Sequence, residues 1–374
     1  MDSPVPTAII GLGNMGSIYA RLIRGGEIPG LELVAACDSN PGKLEPHDGV
    51  ARFEDAGALL ASGLARAVLV VTPHYSHTTL GAQALRAGMH VLVDKPISVH
   101  KADALRLLAA HDGSRVFAAM FNQRLDPRYI RLRQMITGGE LGAIQRVSWT
   151  ITDWFRSEAY YRSGGWRATW AGEGGGVLLN QCPHQLDLWQ WLFGMPARVR
   201  AFCALGKHHA IEVEDDVTAF MEYENGATGV FTTTTGEAPG VNRLEVAGDN
   251  GLVVVEGPKL AFTRNLVPTS EFSRTTAESF AAPPTERLEE SFDDTGPQHA
   301  GVLRNFAAAI LRGEPLVAQA REGLASVELA NAMLISSLAS ATIDLPLDAA
   351  TYEMSLRARV AASPRTPTNA RPTP

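Results

Sequence analysis

Cysteine is scarce in this chain of 374 residues: only Cys37, Cys182 and Cys203 occur, far apart and with no CxxC pair. That spacing fits neither a disulfide framework nor a structural zinc site and leaves the three as small buried apolar side chains. Positive charge is also short, with 33 Lys plus Arg against 40 Asp plus Glu and a formal net charge of -7. No basic surplus exists to neutralise a phosphate backbone, so no nucleic-acid partner is expected. No apolar run approaches the ~20 residues that cross a bilayer, and Met1-Asp2-Ser3-Pro4-Val5-Pro6 lacks the basic and apolar regions of a signal peptide. The expectation is a cytoplasmic protein with no membrane partner. Internal repeats are lacking too. What remains, 45% hydrophobic and 20% charged residues, is the composition of a globular protein large enough for two domains.

Up to about residue 123 the chain alternates short β-branched runs with helical patterns, which predicts a doubly wound parallel sheet. Expected strands are Thr7–Gly11, Leu31–Cys37, Ala67–Val71, His90–Val93 and Val116–Phe121, near-continuously apolar because both faces are buried. Helices are expected at Met15–Arg24, Ser76–Ala87 and Val99–Ala110, with Ser76 and Ser98 as N-caps and Gly25, Gly26 and Gly88 at C-terminal ends. After Arg124 one helix is expected over Pro127–Ile136. Alternation of period two then takes over in Ile144–Phe155, Val199–Leu205, Val217–Tyr223, Ala227–Thr235 and Leu244–Ala247. These predict an α+β second domain over 124–361 with a large, mostly antiparallel sheet. Glu271–Pro297 reads as an exposed excursion, His299–Leu311 and Gln319–Ser340 as helices, and 362–374 as a disordered tail.

Gly11-Leu12-Gly13-Asn14-Met15-Gly16 follows the first strand and opens a helix, the context that gives GxGxxG its force. The first glycine makes a tight turn, the second lets the backbone approach a pyrophosphate, and the third packs helix on strand. Asp38 ends the second strand 22 residues past Gly16, where a carboxylate accepts both ribose hydroxyls of NAD and repels a 2'-phosphate. A glycine turn with no ligand is the plain alternative. Lys95 follows the strand His90–Val93 and precedes Pro96, at the carboxyl edge of the sheet. On position alone it is either a surface lysine with an apolar stem or a charge facing the nicotinamide end of a cleft.

Gly174-Gly175-Gly176 precedes Asn180-Gln181-Cys182-Pro183-His184. Three glycines permit close backbone approach to a ligand. Pro183 suits a first helical turn, so His184 would sit at the positive end of a helix dipole, where the neutral ring is favoured. A neutral imidazole is what a general base for an alcohol proton requires; a hydrogen-bonded structural histidine is the alternative. Asp187 reads as either a substrate contact or a helix-face carboxylate, with the latter favoured. His208 and His209 with Glu212, Glu214, Asp215 and Asp216 read as a solvated loop entering a strand, not as a metal site.

The residues just quoted resemble the glucose-fructose oxidoreductase and inositol dehydrogenase family, known as Gfo/Idh/MocA. The pattern runs in order through Gly11–Gly16, Thr72-Pro73-His74-Tyr75-Ser76-His77, Asp94-Lys95-Pro96, Gly174–Gly176 and Asn180–His184, and covers the chain to about Ala361. The resemblance implies an N-terminal Rossmann domain, an open C-terminal sheet, and NAD-dependent oxidation of a secondary hydroxyl on a sugar, sugar derivative or cyclitol, with NADP possible. It implies Lys95 and His184 as the catalytic pair and Thr72, Pro73, His77, Trp166 and Arg167 beside the cofactor. Tyr161, Arg167 and Asn180 are candidates for gripping substrate hydroxyls. Many polyol-oxidising relatives carry Asp where this chain has Asn180, and an amide binds a hydroxyl but takes no proton. A glycosidase or lyase that oxidises its sugar transiently, eliminates and re-reduces it is the alternative chemistry. The family also implies a homodimer or homotetramer.

Overall fold

The apolar runs of the N-terminal third become six parallel strands in a computed structural model that describes residues 3–363. They are β1 (Val5–Ile10), β2 (Leu31–Cys37), β3 (Ala51–Phe53), β4 (Ala67–Val70), β5 (His90–Val93) and β6 (Phe117–Ala119). Their order in the sheet is β3-β2-β1-β4-β5-β6, so the winding reverses between β1 and β4. A crevice therefore opens outside the carboxyl ends of those two strands, the place where ligands bind in open α/β sheets. The helices Asn14–Arg24 and His74–Arg86 start at that edge.

A nine-stranded sheet follows. It comprises β7 (Ile144–Ile151), β8 (Arg198–Leu205), β9 (Glu214–Glu222), β10 (Thr228–Thr234), β11 (Asn242–Gly248), β12 (Gly251–Glu256), β13 (Lys259–Asn265), β14 (Thr285–Ser291) and β15 (Ile343–Asp344), ordered β14-β13-β12-β11-β7-β10-β9-β8-β15. Only β7 and β10 pair in parallel among these neighbours. One face is apolar: Val217, Ala219 and Met221 of β9 and Val199 and Ala201 of β8 are fully buried. The helices Pro183–Phe193 and Gly323–Ala339 join that face in one core with Trp149, Trp189 and Phe231. The doubly wound sheet and the mostly antiparallel second sheet are thus both as expected.

Several expectations need correction. The helix over the predicted Ser76–Ala87 begins at His74 behind Pro73, and the one over Val99–Ala110 spans Lys101–Leu108 with His100 as its cap, accepting from the Asp103 amide at 3.3 Å. Ser98 is buried and bonded to Thr78 instead. The excursion Glu271–Pro297 contains the edge strand β14. Its sequence hides this because most of its residues are exposed; its charges pair with β13, Glu289 with Lys259 at 2.6 Å and Glu286 with Arg264 at 2.7 Å, and Glu290 meets Arg131 at 2.8 Å. The short strand β3, the helix Ala56–Ala61, the strands β12 and β13, and the helix Ala349–Ala362 were not anticipated. The tail read at 362–374 lies outside the described residues from Pro364 onward.

Candidate active site

Gly11 has φ +96°, and a Cβ there would lie 2.5 Å from the Val71 carbonyl oxygen; one on Gly16 would lie 1.9 Å from that of Gly11. Both positions are closed to any side chain. Gly13 differs, since a Cβ there would meet nothing within 4 Å. It faces a cleft of about 890 Å³, also lined by Gly11, Asn14, Met15 and Asp38, that falls in the range of cofactor sites. The helix Asn14–Arg24 has no side-chain cap, so its first amides remain available to an anion. Across the crevice Thr72 and Pro73 line the same cleft, and the Thr72 hydroxyl is buried without a partner among the described residues. The open Gly13, the uncapped helix start and the orphaned Thr72 hydroxyl fit a dinucleotide.

The Asp38 carboxylate braces the turn as well as facing the cleft. Its Oδ2 accepts from the Leu12 amide at 2.8 Å and its Oδ1 from the Asn40 amide at 2.9 Å. Lys43 Nζ stands 3.3 Å from Oδ2 and lines the cleft too.

Lys95 leaves the end of β5 through a cis peptide to Pro96 and reaches Asn180, donating from Nζ to its carbonyl oxygen at 2.6 Å. Burial pushes this ammonium below the usual lysine range, partly opposed by the Asp94 and Glu173 carboxylates. His77 holds the neighbouring loops: Nδ1 faces the Pro96 carbonyl and Nε2 the Thr72 carbonyl, each at 2.7 Å. It lines the cleft with both ring nitrogens already engaged.

The glycine triplet serves packing more than ligand approach, contrary to expectation. A Cβ on Gly174 would lie 2.1 Å from Val99, and one on Gly176 only 1.9 Å from the Glu214 carbonyl oxygen. The Glu214 carboxylate accepts from the amides of Gly176 at 2.8 Å and Leu178 at 3.0 Å, fixing the start of the helix Val177–Asn180. Asn180 then lines the cleft, with Nδ2 donating to Glu173 and Oδ1 3.4 Å from the Tyr160 hydroxyl. Arg167 donates to that hydroxyl at 2.8 Å and lies over the rings of Trp166 and Tyr160. Trp166 packs edge-on against His74, and both line the cleft.

Tyr161 is elsewhere. Its hydroxyl pairs with Thr235 at 2.8 Å, outside the cleft lining, and Tyr160 occupies the neighbourhood expected of it. His184 follows Pro183 in the helix Pro183–Phe193, is buried against the edge of Phe121, and lies outside the cleft lining. Burial, helped by the charges of Lys95 and His299, holds its imidazolium well below the usual histidine range. The shift favours the neutral ring, but its leading cause is burial and not the helix terminus from which it was expected. The ring's Nδ1 has no hydrogen-bond partner among the described residues.

Asp187 is no solvated helix-face carboxylate. It is 1% exposed and receives Arg124 at 2.6 and 2.7 Å, a bidentate pair that ties the helix Pro183–Phe193 to the segment after β6. His209 and Asp215 are likewise buried and paired at 2.9 Å, and Asp215 accepts from the amides of residues 207, 208 and 209; the loop there is folded inward. Among the described residues no cluster of His, Cys, Asp and Glu could hold a metal. Glu173 and Tyr160 were not singled out in the sequence, and His74 and Glu214 were named there without the contacts the structure gives them. An acid set in the glycine run Gly172-Glu173-Gly174 was the one local signal.

Residues 5–120 match the family described as an oxidoreductase family with an NAD-binding Rossmann fold, and residues 129–254 match the GFO/IDH/MocA C-terminal domain. Inositol 2-dehydrogenase of Rhizobium meliloti is 26% identical over 340 residues, covering 88% of this chain and 95% of that protein. The WlbA dehydrogenase of Bordetella pertussis, solved with NADH and UDP-GlcNAcA, is 26% identical, with a TM-score of 0.77 over 92% of this chain and all of that one. Levoglucosan dehydrogenase, solved with NADH and levoglucosan, shares the fold at a TM-score of 0.75 and 18% identity over 92% of this chain and 100% of its own. The chain belongs to the GFO/IDH/MocA oxidoreductases, with the NAD-binding Rossmann fold of that family.

Proposed function

We propose that this protein oxidises a secondary hydroxyl of a sugar, sugar derivative or cyclitol with NAD, using residues 1–123 for the cofactor and 124–361 for the substrate and subunit contacts. The observation that carries the reading is the Lys95 ammonium at the Asn180 carbonyl, on the wall of the same cleft as the glycine turn. NAD, when bound, supplies the hydride acceptor. Gly11, Gly13, Asn14, Met15 and Gly16 form its turn, Asp38 takes its ribose hydroxyls, and Thr72, Pro73, His77, Trp166 and Arg167 wall its far end. Lys95 stabilises the negative charge that develops on the substrate oxygen, a role suited to a cation in a partly dehydrated site. His184, neutral near pH 7, takes the hydroxyl proton. Asn180 and Arg167 hold neighbouring hydroxyls, and Tyr161 supports them through its contact with Tyr160. The relatives are named dehydrogenases, which does not favour the elimination chemistry.

The protein works in the cytoplasm as a homo-oligomer. Phe202 and Phe220, 65% and 42% exposed on the outward face of β8 and β9, support a second copy lying there.

The test is a panel of inositols, hexoses, anhydrosugars and nucleotide sugars, each incubated with NAD. Reduced cofactor should accumulate stoichiometrically with a keto product. Glycoside cleavage without net NADH would overturn the reading in favour of elimination.

A further inference from the structure

Glu173 is 2% exposed and stands just before the glycine triplet. Its Oε2 accepts from the Ala168 amide at 2.6 Å, and its Oε1 accepts from Asn180 Nδ2 in a short contact. A carboxylate only accepts, so the end of the Asn180 amide turned toward it must be the nitrogen. Burial pushes this carboxyl above the usual glutamate range, opposed by the bonds it accepts from Asn180 and Ala168 and by the charges of Arg167 and Lys95. Oδ1 of Asn180 is therefore the end left on the other side. Its contacts there are long, 3.4 Å from the Tyr160 hydroxyl and 3.2 Å from Gln181 Nε2, which leaves room for a better-placed donor. The main-chain carbonyl of the same residue receives Lys95 at 2.6 Å. One residue thus carries the lysine on its backbone and has its side chain set by Glu173.

Resting on the polyol dehydrogenase reading above, we infer that Glu173 is a positioning residue and a determinant of specificity. It turns Asn180 Oδ1 toward the substrate, so the site selects a polyol that donates a hydroxyl hydrogen next to the carbon being oxidised. A deoxy carbon or an ether at that position has no hydrogen to give. A carboxylate there meets a lone pair.

Glu173→Gln keeps the shape but cannot accept from both Ala168 and Asn180, because one of its two ends is an amino group. The polyol KM should rise ~10–100-fold, with NAD affinity and thermal midpoint near those of the parent, and the preference for the polyol over its vicinal deoxy analogue should shrink. Asn180→Asp alone sets two carboxylates against each other and should lose comparably. The double exchange E173Q/N180D restores one amide and one carboxylate, with residue 173 accepting from Ala168 and donating to residue 180, and should recover most of the parent kcat/KM. Singles that keep the parent KM and analogue preference, or a double no better than the worse single, would overturn the inference.

A second measurement needs no substrate. With isotope-labelled asparagine, the side-chain amide signal that vanishes in Asn180→Asp should exchange slowly in the parent and quickly in Glu173→Gln. An amide indifferent to Glu173→Gln sinks the inference whatever the substrate. An amide that responds, in a protein that oxidises no polyol, upholds the positioning of Asn180 and sinks the dehydrogenase reading.

Discussion

The Lys95 ammonium donates to the Asn180 carbonyl oxygen across 2.6 Å, joining two residues 85 positions apart. That bond links the end of β5 to the short helix behind the glycine triplet, so the lysine is held by both sheets' neighbourhoods at once. Removing it should cost chemistry more than folding. Lys95→Met is expected to lower turnover by at least about two decades, the usual scale for a lost charge stabiliser, with the thermal midpoint little changed. Retained turnover per folded molecule would leave Lys95 with a structural role alone.

The pH profile follows from the same burial. Because the folded-state pKa of Lys95 is lowered, its ammonium is present below that value and lost as pH rises through it. The alkaline limb of kcat should therefore fall below the range of an ordinary lysine. Of the groups that face the ammonium, Asp94, Glu173 and Cys182 raise its pKa and Arg167 lowers it, so Glu173→Gln should move the limb further down. A limb that stays put in that variant refutes the coupling of Glu173 to Lys95.

The role proposed for His184 predicts the acid limb. Its pKa lies well below the usual value, so the ring stays neutral through pH 7 and is protonated only on strong acidification. His184→Ala should cut turnover by roughly two to four decades and leave NAD binding intact, because it removes proton transfer without touching the glycine turn. Normal turnover in that variant would show a packing residue against Phe121.

These groups were not equally legible. The glycine turn, Asp38 and Lys95 sit at ends of strands whose apolar runs are continuous, so their place at the sheet edge follows from local pattern. Glu173 and Asp187 were not readable that way, since what each does depends on a partner brought in by the fold. Asp187 meets Arg124 across 63 positions, and no periodicity of its own helix distinguishes a buried carboxylate from a solvated one. Tyr160 and Tyr161 are adjacent, and only the turn of a five-residue helix decides which hydroxyl meets Arg167 and which meets Thr235. The strand β14 escaped because an edge strand with most of its residues exposed has no apolar alternation to detect.

Stability should depend on the Arg124–Asp187 pair. Both side chains are 1% exposed, so Asp187→Ala leaves a buried guanidinium whose remaining carboxylate, Glu322 at 3.0 Å, is itself partly exposed. The expected loss is about 3 to 5 kcal/mol in urea unfolding, whereas replacing both partners by Leu and Met should cost much less. Equal losses for the single and double variants would contradict the account.

Cofactor preference turns on Asp38 and Lys43. At like charge across a few ångströms, Asp38 opposes a 2'-phosphate by on the order of 1 to 4 kcal/mol, while Lys43, 3.3 Å from its Oδ2, offsets part of that. Alanine is a poor probe here, because Asp38 also accepts from the Leu12 amide and its loss would loosen the glycine turn. Asp38→Asn keeps an oxygen for Leu12 and removes the charge, at the cost of the acceptor for the Asn40 amide. NADP affinity should then rise about tenfold or more while NAD affinity falls, and adding Lys43→Ala should reverse most of the NADP gain. Titration of both cofactors against the three proteins decides it. If the parent binds NADP as tightly as NAD, the carboxylate is neutralised by Lys43 and does not discriminate. If Asp38→Asn leaves the ratio unchanged, the ribose hydroxyls are read elsewhere in the cleft.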